Sequence, residues 1–247
     1  MKRPTTMLRP RALALFRAWV TSRWRSRVQL DLGAARVRGA RHRAAAKLAD
    51  SAHQFFDSRA ERLGNLTRIK GKPRTIACKA SCSFCCSLYV SATASELLLI
   101  EGYIAALPHA ARLAVTTRVV DAFPRAQGKT MKARDRARVP CPLLTEQGLC
   151  GIYPVRPLTC RSYVSFDLSR CQADARRPGT GTQVIRSGSL VELRSLLFDQ
   201  LITKERDRGF AVQSYELIQG LHSLLTRPKA VEDICRGIDA LADAQSQ

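Results

Sequence analysis

The side chains most able to do chemistry in this 247-residue chain are its nine cysteines, eight of which fall into two groups. The first group is Cys78-x3-Cys82-x2-Cys85-Cys86, and the second is Cys141-x8-Cys150-x9-Cys160-x10-Cys171. Thiolates two or three residues apart can turn toward one ion, because a short loop lets both sulfurs converge. Cys82 and Cys85 have that knuckle spacing, and Cys78 and Cys82 lie about one helical turn apart. Adjacent cysteines such as Cys85 and Cys86 rarely point at one ion from regular backbone. One of the pair therefore serves a second metal, bridges two metals or does redox work. The plain alternative is that all eight pack as small hydrophobes, but four cysteines within nine residues are too many for that. Cys235 stands alone on an amphipathic segment and reads as a core residue.

All-thiolate surroundings favour zinc or an iron–sulfur cluster over harder ions. Eight thiolates can hold two tetrahedral zinc ions, two clusters, or one cluster with ligands to spare. A hydrolytic zinc site usually mixes histidine and carboxylate ligands and keeps one position open. That chemistry is disfavoured here, because His42, His53, His109 and His222 all fall outside the cysteine groups and read as surface or helix-face residues. Thiolates around a metal leave net negative charge, which a guanidinium can offset by donating to sulfur or to loop carbonyls. Arg156 and Arg161 are the candidates, with Lys79 a third, while Pro154 and Pro157 fix the turns that aim Cys150 and Cys160. Tyr153 and Tyr163 read as packing residues rather than proton or radical partners. No Gly-rich phosphate loop, nucleophile elbow or paired-carboxylate pattern is present, and Gly179, Gly181 and Gly188 are too spread for a dinucleotide fingerprint.

The elements that must position these residues are mostly helical. Leu48, Ala52, Phe55, Phe56, Leu63 and Leu66 give residues 41–69 one apolar helical face, stopped by Gly71 and Pro73. Thr93-Ala94-Ser95-Glu96 reads as a capping box opening a helix through Leu97, Ile100, Ile104 and Leu107, and Pro108 stops it. Further helices are predicted over 110–123, from Leu190 to Ile202, over 215–225 and over 231–241. Residues 124–138 are basic and poor in apolar side chains, and so read as a loop. Residues 141–171 show little periodicity, and 178–188 read as a connector. The predicted fold is mostly α, with helices packed around an irregular cysteine-rich metal-binding centre. A single helical domain spans 41–247, its cysteine core at about 75–175.

Charge sets residues 1–40 apart as a basic arm. The chain has 41 Lys plus Arg against 20 Asp plus Glu, a net charge of +21, and residues 1–50 alone hold 13 basic against 2 acidic side chains. Such an arm, amphipathic or disordered, can contact nucleic acid, an anionic membrane surface or an acidic protein. Its Arg-rich, acid-poor composition is also that of a transit peptide. No run of about 18 apolar residues occurs, so a transmembrane protein is not expected. Ala12 to Phe16 is too short an apolar run for a secretory signal. The odd cysteine count and the chain length fit a reduced, cytoplasmic protein better than a secreted disulfide scaffold.

These motifs resemble the YkgJ-type cysteine-cluster family, whose CxxCxxCC motif is described as zinc- or iron-chelating. That pattern is a cysteine knot ending in C-C, then C-P-x-L, then C-x-I-Y-x-x-R-P-x-x-C-R and often one later cysteine. Here it reads Cys82-Ser83-Phe84-Cys85-Cys86, Cys141-Pro142-Leu143-Leu144, and Cys150-Gly151-Ile152-Tyr153-Pro154-Val155-Arg156-Pro157-Leu158-Thr159-Cys160-Arg161, with Cys171 after. The helix carrying Glu96 is also similar. Ser83 stands where the family often has Gly, and three residues rather than two separate Cys78 from Cys82. The resemblance covers about 75–175 and implies metal binding without naming a reaction. It leaves open an iron–sulfur or zinc protein in electron transfer, redox sensing or protein modification, since a flagellin lysine methylase carries a similar motif. A zinc-stabilised nucleic-acid- or protein-binding module, and a purely structural metal protein, are the alternatives.

Overall fold

The computed structural model describes residues 10–27, 38–65, 68–69, 72–73, 75–178, 184–210 and 213–241. Within them the chain runs through α1 (Pro10–Arg27), α2 (Arg38–Asn65), the two-residue strands β1 (Arg68–Ile69) and β2 (Lys72–Pro73), then β3 (Ser91–Thr93) and α3 (Ala94–Ala105). After these come α4 (His109–Ala126), α5 (Met131–Ala137), α6 (Leu158–Ser162), α7 (Leu168–Arg176) and α8 (Gly188–Asp207). The chain closes with β4 (Ser214–Glu216), α9 (Leu217–Thr226) and α10 (Ala230–Cys235). The mostly helical reading holds. Leu66, Gly71 and residues 179–183 of the 178–188 connector lie outside the described residues.

Helix α3 is central, and its sequence explains why it starts where it does. The Thr93 hydroxyl accepts the Glu96 N–H, and the Glu96 carboxylate accepts the Thr93 N–H, so both halves of the predicted capping box form. Strand β3 feeds this cap and pairs antiparallel with β4, Ala92 opposite Tyr215. The pairing launches α3 and α9 side by side. Leu97, Leu98, Ile100 and Ile104 then bury against Leu217, Leu221 and Leu224 of α9 and against Leu143, Ile152 and Val155 of the cysteine-rich stretch. Gly220 permits the close approach of α9 to α3, since a Cβ there would fall 2.6 Å from Leu97 Cδ1.

A second core forms between α2, α8 and α1. Phe55 and Phe56 of α2 bury with Leu190, Leu193, Leu197 and Leu201 of α8, together with Val20 and Trp24 of α1. Trp24 meets Phe55 edge-on, with ring centroids 5.7 Å apart. Within the basic arm, α1 therefore shares a core with α2 and α8 through Val20 and Trp24. Val20 and Trp24 lie four apart on one helical face, and burying two such side chains is worth about 3–6 kcal/mol by transfer free energy. Arg11 and Arg23 lie on the exposed side of the same helix.

Three local expectations are corrected. Residues 124–138 are not a loop: Pro124 sits inside α4, and Thr130 caps α5 by accepting the Ala133 N–H at 3.3 Å. Residues 214–216 are a strand rather than the first turn of a helix, because they supply the backbone partners of β3. The last helix ends at Cys235 rather than reaching 241. Cys235 itself is buried in the α3/α9 core, as predicted.

Candidate metal centre

The first cysteine group sits on a chain of tight turns between β2 and β3. Cys82 N–H donates to Lys79 O at 3.1 Å, Cys86 N–H to Ser83 O at 2.9 Å and Leu88 N–H to Cys85 O at 3.1 Å. Ser81 takes the left-handed conformation, φ 66°, in the first of these turns. Helix α5 braces the outside of the loop. Arg134, 2% exposed, donates to Ser87 O at 3.0 Å and to Val139 O at 3.1 Å. Arg138 reaches Phe84 O at 3.4 Å, and its other terminal nitrogen pairs with Asp174 of α7. Asp135 accepts the Tyr89 N–H at 2.7 Å. A segment read as a basic loop is thus the clamp on the cysteine turns. The signal for it was Thr130, a cap residue placed just before a helix-compatible run.

The second group arrives from the other side. Cys141 N–H donates to Cys86 O at 2.7 Å, which joins the two cysteine stretches directly. From there the chain folds back on itself, with Gly151 N–H donating to Leu143 O at 2.8 Å and Leu144 bridged to Cys150. A Cβ on Gly151 would lie 3.0 Å from Leu143 O, so glycine suits that approach. Arg161, 5% exposed, gathers the turn between Cys150 and Cys160 by donating to Pro154 O, to Arg156 O and to the Asp57 carboxylate on α2. Arg156 lies over the Tyr153 ring, 3.9 Å from its centroid. Tyr153 is exposed and Tyr163 half-buried beneath Arg186.

Cys160 rides on α6, whose first turn is held from below by a buried carboxylate. Glu96, beyond its capping role, accepts the Leu158 N–H at 2.7 Å and contacts His53 Nε2 at 3.1 Å. His53 is therefore not a surface residue: it is 1% exposed, because α2 is covered on two sides, by α3 and α8. Burial works to raise the Glu96 carboxyl, yet His53 and the N–H groups of Leu158 and Thr93 outweigh it and hold the group below its ordinary range. Glu205 of α8 lies beside this cluster and accepts from Ser95 N–H at 2.8 Å and from the Ser95 hydroxyl.

All eight clustered cysteines are free thiols, with Cys78 exposed and the other seven half-buried. Ser165 ties Cys78 to the second stretch, accepting the Ala77 N–H at 2.8 Å and donating its own N–H to Cys78 Sγ at 3.2 Å. Burial raises the thiols of Cys78, Cys150, Cys160 and Cys171, and pushes Cys141 up to about 12. Cys85 is raised by its hydrogen bond with Cys86 and then by burial. Among the described residues no three of these side chains are gathered tightly enough to hold one ion as they stand. The donor set nonetheless fits a thiophilic metal in type and in neighbourhood. The positive charge of Arg156 works to lower the Cys85, Cys150 and Cys160 thiols against burial, and that of Arg161 the Cys150 thiol. Arg134, which the spacing did not single out, faces Cys141. Lys79 is exposed at the rim.

Residues 77–177 match the family model CxxCxxCC, described as "Putative zinc- or iron-chelating domain". The resemblance read from the motifs thus holds over the stretch that carries all eight clustered cysteines. No curated protein and no solved structure matches the chain. No helix among the described residues is long and apolar enough to cross a membrane.

Proposed function

We propose that the CxxCxxCC domain of this chain is a thiolate metal centre, held by cysteines from both groups and carrying iron or zinc. The observation that supports it most is the Cys86 O to Cys141 N–H bond, which brings two stretches far apart in sequence to one place. Cys78, Cys82, Cys85, Cys86, Cys141, Cys150, Cys160 and Cys171 are the ligand pool. Iron bound there would supply electron transfer or redox sensing, or serve a protein-modification reaction; zinc would supply a fixed scaffold. The protein's own part is to lose thiol protons to solvent on binding and to offset the resulting charge with Arg134, Arg156 and Arg161.

The test is the metal and acid-labile sulfide content of untagged chain purified without oxygen. Iron with matching sulfide supports a cluster protein with a redox or modification role. Zinc without sulfide supports a structural or binding module. A chain with neither metal refutes the reading.

One observation favours contact with a polyanion as a second role. The outward side of α1 presents Leu15, 73% exposed, and Trp19, 42% exposed, between Arg11 and Arg23. Binding through these arginines would fall steeply as salt rises. Salt-independent retention of a nucleic acid would refute it.

A further inference from the structure

We infer that the outward face of α1 is a docking surface for an anionic lipid bilayer, which takes Leu15 and Trp19 among its headgroups while the arginines of the helix meet its phosphates and carboxylates. This rests on the polyanion reading of α1 above and names the partner as a membrane surface rather than a nucleic acid.

Helix α1 is apolar on two sides. At about 3.6 residues per turn, Leu15 and Ala18 fall opposite Val20 and Trp24, with Trp19 on the flank between. The inner side is taken up by the core with α2 and α8, where Val20 and Trp24 are fully buried. The outer side leaves Leu15 73% and Trp19 42% exposed, with Ala18 exposed beside them. Apolar side chains on the face that a helix's own fold leaves open call for a second apolar environment. The same helix carries five arginines and no acidic residue. Of these, Arg11 and Arg23 are exposed toward either end of the stripe, and Arg17 stays 56% exposed while pairing with Glu192 of α8 at 2.7 Å.

The pairing of positive charge with apolar surface selects a bilayer. Basic helices with Trp and Leu on one side lie in the plane of an anionic interface, where both kinds of side chain are used. A nucleic acid uses the arginines and leaves Leu15 in water. Trp19 is poorly placed to stack on a base, since its ring packs against Phe16, with centroids 6.3 Å apart, and beneath the Arg59 guanidinium at 5.3 Å. That packing instead fixes Trp19 as an interfacial anchor. A second copy of the chain would bring the same arginines, and a net charge of +21, against this one. Because the inner side of α1 holds it on α2 and α8, the helix can lie on a bilayer without leaving the core, and it is not apolar enough to cross one.

The experiment adds the full chain to vesicles of phosphatidylcholine with and without phosphatidylserine, and reads co-sedimentation and tryptophan emission. The chain has two tryptophans, and Trp24 is already fully buried, so a blue shift reports Trp19 entering the interface. A blue shift with the phosphatidylserine vesicles alone is expected, and part of the binding should survive salt that screens the arginines. Leu15→Asn should weaken binding about tenfold, and Arg11→Gln about fivefold at low salt. Both positions are exposed, so the circular dichroism of each variant should stay that of the wild type. No shift on anionic vesicles, an equal shift on neutral ones, or undiminished binding by Leu15→Asn overturns the inference. Salt-sensitive retention of duplex DNA or of RNA without vesicle binding also overturns it and leaves the polyanion reading intact, whereas binding to neither vesicle nor nucleic acid refutes both. A wild-type dimer that Leu15→Asn dissociates, measured by analytical ultracentrifugation, assigns the face to a second copy and overturns the inference as well.

Discussion

Glu205 makes the folded protein lose stability as the pH rises toward 8. It is fully buried, accepts hydrogen bonds from Ser95 and Thr93, and among the described residues has no partner for Oε2. Burial raises its carboxyl from 4.5 to about 7 against the hydrogen bonds from Ser95, and nearby Glu96 pushes the same way. The folded state therefore holds a proton that the unfolded state releases between about 4.5 and about 7. Because the native state binds more protons across that window, stability falls with rising pH there. The difference of about 2.5 pH units is worth roughly 3 kcal/mol, and full burial leaves no solvent screening to discount. Glu205→Gln removes the titration while keeping an oxygen for Ser95. Its amide nitrogen lacks a partner, as the protonated carboxyl's second oxygen does, so the two forms should be nearly equal at low pH. The variant should match the wild type within about 1 kcal/mol at pH 5 and exceed it by roughly 2–3 kcal/mol at pH 8. For a chain of this size that is about 5–10 °C in melting temperature. Paired urea and thermal unfolding across this range, with metal content held equal, measures it. A wild-type-to-variant difference that does not change with pH would refute the burial argument.

Three further tests probe the site and its frame. Cys82→Ser or Cys150→Ser should lower metal content and thermal stability together, since bound metal contributes folding free energy; unchanged stoichiometry in both variants removes them from the ligand set. Arg161→Lys should not restore what Arg161→Met loses, because an ammonium cannot fork to Pro154 O, Arg156 O and Asp57 at once. A cost of about 2–4 kcal/mol and weaker metal retention are expected in both, and full rescue by lysine, read by chemical unfolding, would show that only charge matters. Gly220→Val should cost about 1–3 kcal/mol by driving a side chain into Leu97. Adding Leu97→Ala should recover part of that cost in a double-mutant cycle, and strictly additive costs would show that the two positions do not meet.

What could be read from the sequence was local. The capping box at Thr93 and Glu96, the apolar faces of α2, α8 and α9, the cysteine groups and the core placement of Cys235 all depend on neighbours a few residues away. What could not be read came from partners brought in by the fold. His53 carries no sign of burial in its own spacing, because the covering comes from α3 and α8. Glu96 announced itself as a cap, while its bond to the Leu158 N–H, which seats the Cys160 helix, needs two segments to meet. Residues 215–216 read as helix because their strand partner lies at 91–93. Arg134 sat in a basic run that looked solvated, and only the docking of α5 on the cysteine turns makes it a neighbour of Cys141. The same holds for Val20 and Trp24, whose spacing on α1 fits a packed helical face as well as a free amphipathic one.

The basic composition of the chain has a local counterpart in this arrangement. Burial raises the Cys141 and Cys160 thiols, which favours their protonated form near neutral pH. Under the thiolate-centre reading, metal binding would require those protons to leave, and thiolates would replace thiols inside a partly dry site. Arg134, Arg156 and Arg161 stand where that charge would develop, and two of them are already fixed by backbone carbonyls before any charge appears. Preset guanidinium groups cost little reorganisation when the sulfurs ionise. Cationic groups set beside raised thiols would favour deprotonation coupled to metal entry.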